Sequence, residues 1–143
     1  MRPFFVFVIA LALSAFAAAE KIAYPDVTPD FKIEFPRDEG SHPVFRTEWW
    51  YVTGWLKGAD KRERGFQITF FRARPDNVSA DNPSQFSPRQ ILFAHVALSD
   101  PAEGKLLHGQ RTARAGLGLA EAKSGMTHVW IQDWSLQQHG NSY

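Results

Sequence analysis

Between Arg46 and Gly58 the chain reads RTEWWYVTGWLKG, and this stretch limits the fold more than any other. Successive side chains of a strand point to opposite faces, so Trp49, Tyr51, Thr53 and Trp55 would share one face. Trp50, Val52, Gly54 and Leu56 would share the other. β-branched and aromatic residues at this density favour a pleated strand over a helix. The charged run KGADKRER follows, with Gly58 and Asp60 as turn formers. GFQITFFRAR then places Phe66, Ile68 and Phe70 on one face of a second strand. The two runs predict an antiparallel hairpin whose loop is longer than a two-residue turn.

The remaining segments extend the pattern. FKIEF, Phe31 to Phe35, alternates well enough for a short strand, ended by Pro36 and a turn-rich loop to Pro43. QILFAHVALSD is a third strong strand, closed by a turn at Ser99-Asp100-Pro101, and GKLLHGQRTAR is a fourth. The intervening Pro75 to Pro88 is polar and surface-bound, and its Asn77-Val78-Ser79 sequon reads as chance in an Asn/Ser-rich loop. Ala115 to Gly125 is compatible with either a helical turn or a glycine-rich loop. THVWIQDWSLQ reads as a later strand with a bulge near Asp133. Short strands at regular spacing predict an all-β antiparallel barrel or sandwich.

The ends add two expectations. Arg2, an apolar run from Phe4 to Phe16 and Ala17-Ala18-Ala19 read as a secretory signal peptide over residues 1–19. Cleavage near Ala19 would release a secreted or periplasmic protein. Residues 20–34 then form a Pro- and Asp-punctuated lead-in, and 35–143 the domain. The ending HGNSY reads as a turn followed by the start of another strand, as in a domain cut short at its C-terminus. With 16 basic and 15 acidic residues in total, the chain offers no electrostatic footprint for nucleic acid. No cysteine is present, so disulfides and thiolate metal sites are excluded.

The segments FPRDEGSHPVFRTEWWYVTGWL, GFQITFFRARP and ILFAHVALSDP resemble the AttH-like family, which includes the carotenoid 1,2-hydratases (hydroxyneurosporene synthases). The pattern H-x-x-x-x-x-E-W-W-Y-x-x-G from His42 to Gly54 is its most specific mark, and F-A-H-x-A-L-S-D from Phe93 to Asp100 the second. The resemblance implies a lipocalin-like domain, the first of a tandem pair on a longer exported chain. It implies hydration of carotenoid double bonds or a role beside an export system. The D-H-E-W motif of the family's second half does not occur here, which leaves hydration dependent on a missing C-terminal domain.

Hydrating an alkene needs a carboxylic acid kept protonated by burial, and aromatic faces to hold the resulting cation. Glu48 beside Trp49, Trp50 and Tyr51 has that composition. It is equally placed to pair with Arg46 or Arg72, or to accept hydrogen bonds from a turn. His42 and His95 could join Glu48 as a metal or proton-relay trio. The spacing is no metalloenzyme signature, however, and His95 shares a strand face with Ile91, Phe93 and Ala97, as an inward, satisfied histidine would. The expected ligand-binding set is Trp49, Trp50, Tyr51, Trp55, Phe70 and Phe93, one face of which would line a pocket for a hydrophobic, isoprenoid-like molecule. No metal or cofactor is expected. There is no G-x-S-x-G elbow, and Gly116 and Gly118 lack the third glycine of a dinucleotide loop. The expected partners are the hydrophobic small molecule, the missing C-terminal domain and an export component.

Overall fold

The computed structural model describes residues 22–76, 78 and 82–143. The leader expected over residues 1–19 and both outer positions of the 77–79 sequon lie outside these. Among the described residues, seven strands form two antiparallel sheets. The first is a meander of β1 (Thr47–Lys57), β2 (Glu63–Ala73), β3 (Ile91–Asp100) and β4 (Lys105–Arg114). The second is small, with β5 (Ala120–Ala122), β6 (His128–Ile131) and β7 (Trp134–Gln137). The two do not close into a barrel among the described residues, so the arrangement is a sandwich. No described helix is long and apolar enough to cross a membrane.

The register assigns the faces. Trp50, Phe70 and Ala94 are successive cross-strand partners, as are Val52, Ile68 and Val96. This inner face meets the small sheet. Phe70, Leu92 and Ala94 pack with Ala120, Val129, Ile131 and Leu136 into one buried cluster, flanked by Trp50, Val52, Ile68 and Trp134. The Trp134 ring comes within 3.2 Å of where a Gly109 Cβ would stand, so that glycine lets the two sheets approach. The outer face carries Trp49, Tyr51, Thr53 and Trp55, of which Trp55 is 76% exposed. The Trp55 ring lies over Gly65, its cross-strand neighbour.

Three expectations are corrected. Phe31 to Phe35 forms no strand, because no neighbouring strand offers it a ladder. THVWIQDWSLQ is a tight hairpin rather than a bulged strand: Ile131 pairs with Trp134 around the two-residue turn Gln132-Asp133. His95 is exposed on the outer face, because the buried phase of β3 is Leu92 and Ala94, not Ile91, Phe93 and Ala97. Between the two readings of Ala115 to Gly125 the structure selects the glycine-rich loop, in which Gly116 bridges to Ala120 before β5. Ser142 makes only an isolated bridge to His139.

Candidate ligand-binding site

The segment between the lead-in and β1 carries a dense polar network. Arg37–Glu39 makes a single 3₁₀ turn, and the chain then crosses the end of the sandwich. Gly40 is needed there, since a Cβ would stand 2.3 Å from the Gly125 nitrogen. Ser41 N donates to the Lys123 carbonyl at 2.7 Å. The Glu39 carbonyl accepts from Trp50 Nε1 at 3.2 Å and from Thr127 Oγ1 at 2.9 Å. One loop therefore clasps both sheets.

Glu48 sits at the inner end of this loop. Its carboxylate accepts from Ser41 Oγ at 2.6 Å, from His42 N at 2.8 Å and from Arg72 Nε at 2.6 Å. Arg72 is fully buried, and its Nη2 also donates to the His42 and Phe45 carbonyls. Of the two pairings open to Glu48 in the sequence, Arg72 is the one formed; Arg46 instead binds Asp76 at 2.8 Å. The His42 ring lies between two carboxylates, with Nδ1 3.3 Å from Glu48 and Nε2 3.1 Å from Asp38. Asp38 is held well below the usual carboxylate range, chiefly by the Arg37 guanidinium and then by the Glu34 N–H.

Against this network lies an open groove of about 340 Å³, within the range of small-molecule sites. Val27, Phe31, Ile33 and Phe45 make its apolar walls; Asp38, His42 and Glu48 make its polar end, with Asp26 and Thr28 at the margin. The lead-in, read from sequence as a Pro- and Asp-punctuated segment running into a short strand, thus supplies half the site. Phe31, Ile33, Asp38 and Phe45 were missed as site residues. The signal for the first two was FKIEF itself, an apolar pair with no strand partner.

The structure brings Glu48 and His42 together and separates His95 from them. Glu48 is on the inner face, cross-strand from Arg72, while His95 is on the outer face against Phe71 and Phe93. The trio considered from sequence is therefore not assembled. Among the described residues no three histidine, aspartate or glutamate side chains are arranged to hold a metal ion. The aromatic set also divides. Phe70 is core, and Trp50 borders that core; Trp49, Tyr51 and Trp55 stand exposed; Phe93 stacks on Phe71 at 4.6 Å. A second, wider cleft of about 540 Å³ runs past Trp55, Gln67 and Leu106. It lacks the buried polar groups that would orient a ligand.

A family model described as AttH-like matches residues 26–143. A crystal structure of a Nitrosomonas europaea protein carrying the AttH name is 45% identical, with a TM-score of 0.69. The match covers 82% of this chain and 34% of that one, so the chain spans about a third of that relative's length. No curated protein matches the chain.

Proposed function

The chain belongs to the AttH-like family, and on that premise we propose that it is an exported lipocalin-like module that binds a small hydrophobic molecule. The observation that carries the reading is the groove at the loop clasp. Apolar walls would bury a hydrocarbon body, and the fixed network of Asp38, His42 and Glu48 would orient one polar end. Glu48 faces hydrogen-bond donors on both oxygens. In that geometry it acts as an acceptor and an anchor, which favours binding over acid-catalysed hydration.

The test uses protein made from the full reading frame and the fluorescent apolar probe N-phenyl-1-naphthylamine. Phe31 and Ile33 are 53% and 67% exposed, so Phe31→Ser and Ile33→Ser should leave folding intact. Probe binding weakened about tenfold in both, at unchanged unfolding midpoints, supports the groove. Equal binding in wild type and variants, or none in either, would remove it.

The outer face favours a second reading. Trp49, Tyr51 and Trp55 with the Phe71–Phe93 stack form an exposed aromatic surface of the kind that marks an interaction site. We infer that a further domain of the same chain covers it, in keeping with the solved relative's greater length. Hydroxyl-radical footprinting of the full reading frame checks this: Trp49 and Trp55 should be protected. Labelling at the rate of free tryptophan rejects it.

A further inference from the structure

We propose that the cleft beside Trp55 is a docking socket for a large apolar side chain, set within an uncharged contact with the domain that covers the outer face. The socket rests on the covering-domain reading above and names what that domain presents. Between Trp49 and Trp55 on β1, and at the cross-strand partners of its outward residues on β2, β3 and β4, the face carries no Asp, Glu, Lys or Arg. The chain holds 16 basic and 15 acidic residues, and a sheet face left to water is where such residues normally stand. Charge removed while Trp, Tyr and Phe are kept is the composition of the core of a protein contact. The solved relative is matched over 34% of its length, and a chain of that length has room for the partner in the same molecule.

Within this face the cleft is built as a trough. Trp55, Gly65, Ser99 and Leu106 are successive cross-strand partners. Trp55 and Leu106 stand 76% and 57% exposed as its walls. Gly65, Ser99 and Ala97 give it a floor of small residues, in a volume of about 540 Å³. Gly65 has no positive φ, and an added Cβ would stand 3.5 Å from the Trp55 ring, an ordinary contact. Neither backbone nor neighbour asks for glycine there, yet glycine weakens a strand and marks places where another group approaches closely. The polar side chains at the cleft bond within the sheet: Thr53 Oγ1 donates to the Phe66 carbonyl and Gln67 Nε2 to Thr69 Oγ1. What enters between the walls therefore meets mostly carbon, as side chains do where two sheets interdigitate.

The experiment is hydroxyl-radical footprinting of the full-reading-frame protein as wild type, Ser99→Glu, Leu106→Ser and Ser99→Ala. Ser99 and Leu106 are exposed in this domain, and labelling of the buried Phe70 reports whether each variant keeps its fold. Trp55 should be protected in wild type, equally at low and high salt, because no charge pair holds the contact. Ser99→Glu puts an unpaired charge in the socket and Leu106→Ser removes a wall; each should raise Trp55 labelling about tenfold, with Phe70 unchanged. Ser99→Ala should label as wild type. Trp55 open while Trp49 is protected, or no response to Ser99→Glu and Leu106→Ser, overturns the socket and leaves the covering domain standing. Both tryptophans labelled at the free rate in wild type overturn the two together. Protection that is lost on dilution assigns the face to a second copy of the chain and overturns the proposed occupant.

Discussion

Arg72 and Glu48 are cross-strand partners on β2 and β1, and the fully buried guanidinium donates its Nε to the carboxylate at 2.6 Å. Two further carbonyls hold the same guanidinium. Removing one partner of such a pair strands the other in a low-dielectric interior. Glu48→Ala and Arg72→Ala should each cost about 3–5 kcal/mol. The double variant should cost clearly less than their sum, read from denaturant midpoints as a double-mutant cycle. Additive losses would mean that the two residues act separately.

Gly40 tests the clasp. An added Cβ would meet backbone atoms of Ser124, Gly125 and Met126 within 2.7 Å, and backbone cannot swing aside as a side chain can. Gly40→Ala should destabilise by about 2 kcal/mol or more. Hydrogen exchange at the Ser41 amide, bonded to Lys123, should accelerate with it.

The two faces of β1 and β2 should respond oppositely. Phe70 is 1% exposed and Trp55 76%. Phe70→Ala should cost about 3–5 kcal/mol, whereas Trp55→Ala should stay within about 0.5 kcal/mol. Thermal or chemical unfolding of the pair decides whether the packed face is the one assigned here.

Gln132 has φ 56° in the two-residue turn between β6 and β7. A side chain in that left-handed region costs roughly 1 kcal/mol that glycine avoids. Gln132→Gly should raise the unfolding temperature by a few degrees, after allowance for its greater unfolded-state freedom and for the lost contact with Arg111.

His128 carries the pH prediction. Partial burial of its ring on β6 pushes its pKa below the usual histidine value, and Lys123 adds to that. Folding thus disfavours the protonated ring, and the unfolded chain binds more protons just below pH ~6.5. Stability should fall as pH drops through and below that value, and His128→Gln should flatten the slope between pH ~7 and ~5. An unchanged slope would place the sensitivity elsewhere. The depressed Asp38, Asp60 and Asp100 carboxyls act lower. What they contribute is present above the ordinary carboxylate pKa of about 4 and is lost only as pH falls below it.

The four long strands were legible because alternation over ten residues is a strong local signal, and hydrogen-bonded neighbours in the meander are neighbours in sequence. Which phase faced inward was not. Both faces of β1 carry tryptophan, and both faces of β3 carry apolar residues, so His95 could be placed only once the small sheet covered Leu92 and Ala94. The turn at Gln132-Asp133 hid because neither residue is the glycine or asparagine that marks such turns. At the site, Glu48 and His42 stood out within one motif, and Arg72 was one of two named partners. Phe31, Ile33 and Asp38 did not stand out, since their role depends on a lead-in folding back over β1. No periodicity records such a contact.

The clasp also fixes an order of events. Thr127 Oγ1 reaches the Glu39 carbonyl across 88 positions of sequence, while β1 through β4 pair only with adjacent strands. As the chain emerges from a ribosome or a translocation channel, the meander can assemble step by step from local contacts. The groove beside Glu48 cannot take its final form until residues 123–127 arrive to meet Gly40 and Ser41. A chain interrupted before that point would carry every residue of the site and still lack the site.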